Sequence, residues 1–228
     1  RAESAEDRRR FLHRLDHELK NPITAIRAGL ANISGAALEP GDQQAVASME
    51  AQTVRLTRLT ADLRKIAELE TRTLELVPIN LAQLLTEVVE FAQDHPNIEE
   101  RQVALSVPHA PWPIPTITGD RDLLFLALYN LVENALKFTK SEDAVELRAR
   151  EEGRFVVLEV ADTGPGIAAE EQAHVWEELY RGANVRGIPG SGLGMSLVKA
   201  VVERHGGQVV LHSRPGQGTL VSIYLPID

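Results

Sequence analysis

Four groups of residues in this 228-residue sequence have types and spacings that chemistry could use. The first is Asp16-His17-Glu18-Leu19-Lys20-Asn21-Pro22. On a helix His17 points about 200° away from both Leu15 and Leu19, so it leaves any apolar seam they form and faces solvent. A neutral imidazole is a competent nucleophile near neutral pH. Glu18 could take or orient the proton of one ring nitrogen while the other attacks. Asn21 sits one turn on, on the same face, where it could position a water or a carboxylate. Pro22 removes the amide that would bond the Glu18 carbonyl and bends the helix beside the histidine. The same residues also suit a solvated polar face with a proline kink.

The second group is Asn130, Asn134 and Lys137, one face of a helix by i, i+4, i+7 spacing. Amide oxygens are hard ligands suited to Mg²⁺, and the lysine can meet phosphate charge. The third is Asp162-Thr163-Gly164-Pro165-Gly166-Ile167, directly after an apolar run. A carboxylate at a strand end could accept an adenine amino proton, with the glycines letting backbone approach the ring. The fourth is Gly190-Ser191-Gly192-Leu193-Gly194-Met195, a glycine loop opening a helix, whose amides suit anions. It is neither a P-loop nor a dinucleotide fingerprint, because the Gly-Lys-Ser/Thr and the preceding βαβ unit are missing. The stretch 181–189 before it reads as a lid, with Arg181 or Arg186 reaching phosphate. Gly216-Gln217-Gly218-Thr219 joins two strands and could be only a hairpin turn.

These groups need elements to hold them. Leu12, Leu15, Leu19, Ile23, Ile26, Leu30 and Ile33 step by three or four residues, as do Val46, Met49, Thr53, Leu56, Leu59, Leu63, Ile66 and Leu69. Ser34-Gly35 and Pro40-Gly41 separate the two runs, and Asp42 suits an N-cap. This predicts an antiparallel helical hairpin that dimerises into a four-helix bundle. Beyond Leu76 the pattern changes. Strands are expected at Gln102–Val107, Ala144–Glu151, Phe155–Ala161, Gln208–Ser213 and Leu220–Leu225. Helices are expected at Leu81–Gln93, Arg121–Lys137, Glu170–Tyr180 and Gly192–His205. The proline-rich residues 108–115 read as a surface loop. The fold class is therefore α+β: a helical hairpin over residues 1–75, then an α/β sandwich with a mixed sheet over residues 76–228. His205, before Gly206-Gly207, reads as a helix terminator rather than a catalytic group.

Composition narrows the options. There is no cysteine, which excludes disulfides and thiolate chemistry. Residues 1–75 hold 12 basic and 12 acidic side chains, and residues 76–228 hold 12 against 21, which accounts for the net charge of −9. An acidic body repels phosphate backbones, so nucleic acid is not an expected partner. No apolar run is long enough to span a membrane. The chain starts at Arg1, so it is expected to be a piece of a longer protein. A membrane anchor could then lie only upstream.

The order and spacing of the groups resemble the H, N, G1, F, G2 and G3 boxes of the sensor histidine kinases, from about Phe11 to Tyr224. The F box is the looser match: Trp176 and Leu179 stand where that family usually has phenylalanines. The resemblance implies that His17 is the phosphoacceptor and Glu18 its acid/base partner. It implies that Asn130 and Asn134 hold Mg²⁺, Lys137 meets phosphate, and Asp162 reads adenine beside Gly164, Gly166 and Ile167. Tyr180, Arg181, Gly190, Gly192, Leu193, Gly194 and Thr219 complete the ATP set. It implies a response-regulator receiver domain as partner, a homodimer through residues 1–75, and a cytoplasmic location for this portion. Glu18 and Asn21 match the family's Glu-x-x-Asn pattern for dephosphorylating the regulator. In related gyrase-type ATPases a glutamate one turn before the metal-binding asparagine activates water. Here that position is Asn130, which is no base, and Glu133 falls on another face, so hydrolysis is expected to be slow. A nucleotide-binding scaffold without phosphotransfer would need a missing box residue, and none is missing.

Overall fold

The second apolar run folds as helix α1 (Pro40–Thr71), 32 residues long. It starts at Pro40, a residue suited to a helix's first position, so Asp42 lies inside the first turn rather than at the cap. Threonines inside it would ordinarily compete with helix formation. Here the hydroxyls of Thr53, Thr57 and Thr60 donate to the carbonyls four residues back at 2.9, 3.0 and 3.0 Å. The structure is a computed structural model. It describes residue 15 and residues 19–26, 28–29, 40–71, 73–93, 103–109, 111–182, 188 and 190–227. His17 and Glu18, the connection 30–39 and Arg186 lie outside the described residues.

The chain divides into two compact units, residues 1–68 with 177–193 and residues 69–176 with 194–228. In the first, residues 19–26 are helical like α1. Leu59 of α1 is buried with Leu179 and Leu193, and Leu15, Leu19 and Leu63 pack around them. The expected seam is only partly covered in the single chain: Ile23 stays 47% exposed, and Thr53 is exposed too.

The second unit holds two sheets. β1 (Leu76–Ile79) pairs antiparallel with β3 (Ile117–Asp120). β2 (Val103–Ser106), β4 (Val145–Glu152), β5 (Phe155–Asp162), β6 (Gln208–Arg214) and β7 (Gly218–Pro226) form a mixed sheet in the order β2-β4-β5-β7-β6. Only β2 and β4 run parallel; the other pairs are antiparallel. The central strand β5 is buried from Val156 to Val160, which explains its nearly unbroken apolar run. Its one charge in that run, Glu159, accepts from Arg150 at 3.2 Å and from Ser222 at 3.4 Å. Helices α2 (Leu81–Ala92), α3 (Arg121–Phe138) and α5 (Gly194–Arg204) bury their leucine and valine stripes in this unit's core.

Two expectations change. The helix expected over 170–180 is only α4 (Ala169–Gln172), and turns follow it to Leu179. Leu179 adopts φ 58, which no α-helix accommodates. The β1–β3 pair was not foreseen, because each strand has four residues and one contains Pro78. Residues 111–116 form neither helix nor strand, as expected.

The N-terminus of α3 is fixed by Asp120, which is almost fully buried. Its carboxylate accepts from Leu123 N at 3.2 Å as the N-cap and from Glu75 N at 3.1 Å. Its own amide donates to His205 Nε2 at 2.9 Å, while His205 Nδ1 meets Val201 O at 2.8 Å. His205 thus ties the end of α5 to the start of α3 in the Nδ1–H tautomer. Asp120→Ala removes both acceptors at once and is expected to cost about 2 kcal/mol. Asp120→Asn, which keeps an oxygen for the cap, is expected to cost well under half of that. Urea unfolding of the two variants checks the difference.

Candidate functional site

Two ends of the second unit gather the polar residues singled out by the sequence. The first is the face of α3 beside the start of α5. Asn130, Asn134 and Lys137 are all half-buried on one side of α3, opposite the buried Leu128, Leu131, Val132 and Ala135. Asn130 Nδ2 donates to Leu126 O at 2.8 Å, which turns its Oδ1 toward Gly194. A methyl group at Gly194 would lie 3.1 Å from that oxygen and 3.6 Å from Asn134 Nδ2. Turning the Asn134 amide over exchanges its nitrogen and oxygen, so it can offer either. Gly194 is the first residue of an 11-residue helix, whose N-terminal end favours an anion. Lys137 lies over the ring of Phe138, 5.4 Å from its centroid.

The second end is where β5 stops. Asp162 is opposite Thr219 in the last rung of the β5–β7 ladder. Its Oδ1 accepts from Gly164 N at 2.9 Å. Burial raises the pKa of its carboxyl, and the nearby Asp143 raises it further. The amides of Gly164 and Thr219 pull the other way. Gly164 is buried; a methyl there would meet Asp162 Oδ1 and Thr139 Cγ2 at 3.0 Å each. Gly166 adopts φ +68, and a methyl there would lie 2.1 Å from Arg214 O. That glycine is required by the protein's own backbone rather than by a ligand. Ile167 N donates to Ser213 Oγ at 2.8 Å, and Thr219 Oγ1 lies 2.9 Å from the same hydroxyl.

Tyr180, Arg181, Gly190, Gly192 and Leu193 fall in the first unit. Arg181 Nη2 donates to Ile188 O at 2.5 Å, closing the segment on itself. Ser191 Oγ donates to Asp62 Oδ2 at 2.7 Å and accepts from Leu193 N at 3.3 Å. Gly192 has φ +75, and a methyl there would meet Tyr180 O at 2.7 Å. Asn21 is helical and exposed. The sequence reading missed Thr139, Ser213 and Gln172. Each is a single polar residue with no spacing signal, and each matters only through the loop it touches.

The donors fit a nucleotide with a divalent cation. Among the described residues no cluster of three or more His, Cys, Asp or Glu could hold a metal alone. A cation here would take amide oxygens of Asn130 and Asn134 together with phosphate and water, as Mg²⁺ prefers. No described helix is long and apolar enough to cross a membrane.

Known proteins fit this geometry. Residues 119–228 match the family described as histidine kinase-, DNA gyrase B- and HSP90-like ATPase, and residues 7–72 match the His Kinase A (phospho-acceptor) domain. The histidine-protein kinase/phosphatase MprB of Mycobacterium ulcerans is 32% identical over 99% of this chain and 45% of its own length. Among solved structures, full-length ShkA in complex with AMPPNP is similar at TM-score 0.65 and 29% identity, over 93% of this chain and 44% of that one. The histidine kinase ThkA, in complex with the response regulator TrrA, shares the fold at TM-score 0.77 and 21% identity, over 95% of this chain and 61% of that one. The chain spans about half the length of the curated relatives it matches.

The raised pKa of Asp162 gives a signed prediction. The folded state holds this proton more tightly than the unfolded chain. Stability therefore falls as pH rises from the unfolded value of about 3.9 through the folded one, and stays lower above it. Asp162→Asn is expected to unfold at higher denaturant than the parent at pH 7, with the difference vanishing near pH 3. Its affinity for ATP is expected to drop at least about tenfold. Denaturant curves at the two pH values and titration calorimetry check both halves.

Proposed function

Because this chain belongs to the two-component sensor histidine kinases, we propose that it transfers the γ-phosphoryl group of ATP to His17 and then to an aspartate of a response regulator. The observation that carries this reading is the convergence of Asn130 and Asn134 on Gly194, the first residue of α5, in the unit that also holds the half-buried Asp162. Amide oxygens, the N-terminus of a helix and a half-buried carboxylate within one unit support this reading.

In this reading residues 1–75 form the phosphoacceptor and dimerisation hairpin and residues 76–228 bind ATP. Asp162 accepts a hydrogen bond from the adenine amino group, with Gly164, Gly166, Ile167 and Thr219 shaping its surroundings. Asn130 and Asn134 would hold Mg²⁺ through their amide oxygens, and the ion would supply neutralisation of phosphate charge. Lys137 and the amide of Gly194 meet phosphate. A ring nitrogen of His17 forms the N–P bond as the bond to the ADP oxygen breaks. Glu18 orients or takes the proton on the other nitrogen. Asn130 commits its nitrogen to Leu126 O and presents an amide oxygen, so no base stands where an ATP hydrolase would need one.

The name kinase/phosphatase borne by MprB supports a second activity through Glu18 and Asn21, removal of phosphate from the regulator. Exposed apolar side chains such as Ile23 and Val54 support pairing of two copies into a four-helix bundle. In this reading the portion works in the cytoplasm, where ATP and the regulator are.

The test is incubation with γ-labelled ATP and Mg²⁺. Label that is lost in acid, stable in alkali and absent from His17→Ala is the expected result. The same variant is expected to turn ATP over no faster than the parent. Rapid turnover by His17→Ala would mark a hydrolase instead.

A further inference from the structure

We propose that Ser213, with Gln172, is a positioning residue for base recognition. It locks the loop after β5 to the β6–β7 turn, so that Asp162 and Thr219 present a fixed pair of groups to the adenine. The inference rests on the nucleotide reading above and assigns roles to two residues outside the glycine and asparagine groups.

Ser213 Oγ has three partners. It accepts from Ile167 N at 2.8 Å, donates to Gly218 O at 2.9 Å, and lies 2.9 Å from Thr219 Oγ1. A hydroxyl has one proton. Gly218 O can only accept, so the arrangement that satisfies all three contacts has Ser213 donating to Gly218 O and Thr219 donating to Ser213. The proton of Thr219 is then committed, and a ligand meets only its lone pairs. Asp162 opposite is also an acceptor. Two acceptors side by side favour a base edge that carries N–H donors.

Gln172, the last residue of α4, closes the same joint from the other side. The two hydrogens of its amide nitrogen go to two carbonyls, Ile167 O and Ser213 O, at 2.9 Å each. Gly216 N donates to Pro165 O at 2.7 Å and completes the lock. The backbones are as close as chemistry allows, since a methyl at Gly166 or Gly218 would lie 2.1 Å from Arg214 O or 1.9 Å from Asp162 O. Small residues let the loops touch, and Ser213 and Gln172 fix their register.

A merely structural role would weaken every nucleotide alike; a role in base recognition changes the choice between bases. The full chain, Ser213→Ala and Gln172→Ala are titrated with ATP and with purine riboside triphosphate, which lacks the amino group. The parent is expected to prefer ATP. Ser213→Ala is expected to reduce that preference about fivefold, the equivalent of one hydrogen bond. KM for ATP should rise by a similar factor while kcat stays near the parent's, and Ser213→Thr should restore the preference. If Ser213→Ala does not fold, Gln172→Ala carries the same comparison. An unchanged ratio, with both ligands weakened equally or not at all, overturns the inference while leaving the nucleotide reading intact. A parent that binds neither ligand overturns that reading and the inference with it.

Discussion

The last rung of the β5–β7 ladder, Asp162 opposite Thr219, is where the central strand stops being sheet and turns into the loop that carries Gly164 and Gly166. The chain achieves this by bringing two loops into backbone contact, which only glycine permits. Gly218 at φ +111 and Gly166 at φ +68 each leave no room for a side chain against the opposing backbone. The electrostatics follow from this packing. Asp162 is desolvated because the loops close around it, which raises its pKa, while the amides of Gly164 and Thr219 that the closure brings near favour its charged form. A carboxylate in that state is ready to accept from a donor that replaces lost water, which is what base recognition requires.

The elements that hold this joint were legible in the sequence because their periodicity is local. Helices α2, α3 and α5 bury residues at three- and four-residue spacing, and β4 buries every second residue near its start. Residues 173–180 were misread for an equally physical reason. Val175, Trp176 and Leu179 carry a helical spacing, but Leu179 turns left-handed to reach a core made with Leu59 and Leu193. That contact links distant parts of the chain, and no local pattern encodes it. β1 and β3 were illegible for the same reason: four-residue strands take their register from each other.

At the site, residue types were easier to read than the reasons for them. Asp162, Asn130, Asn134 and the glycines stand out as a set. The purpose of each glycine does not, because it depends on what lies opposite. Gly166 answers to Arg214, Gly192 to Tyr180 and Leu179, Gly194 to Asn130. Ser213 is one serine in a strand until the β6–β7 register places it between Ile167 and Thr219.

Leu179 shows which effect wins when local preference and packing conflict. A non-glycine residue in the left-handed region costs about 1–2 kcal/mol. Burying a leucine side chain returns about 1.5–3 kcal/mol, and the turn that strains Leu179 brings Leu193 into the same cluster. Two leucines buried for one strained residue is a net gain, so the strain persists. The hydroxyl of Ser191 on Asp62 adds a charge-assisted bond between the same two stretches of chain. Residues 177–193 are thus held on α1 by side chains rather than by a backbone ladder. The next residue, Gly194, opens the helix that faces Asn130. One peptide bond separates a leucine packed with Leu59 and Leu179 from a glycine packed against Asn130. Position 193 is therefore apolar, while a side chain at position 194 would crowd the Asn130 amide oxygen, and both demands meet within the single motif Gly190-Ser191-Gly192-Leu193-Gly194.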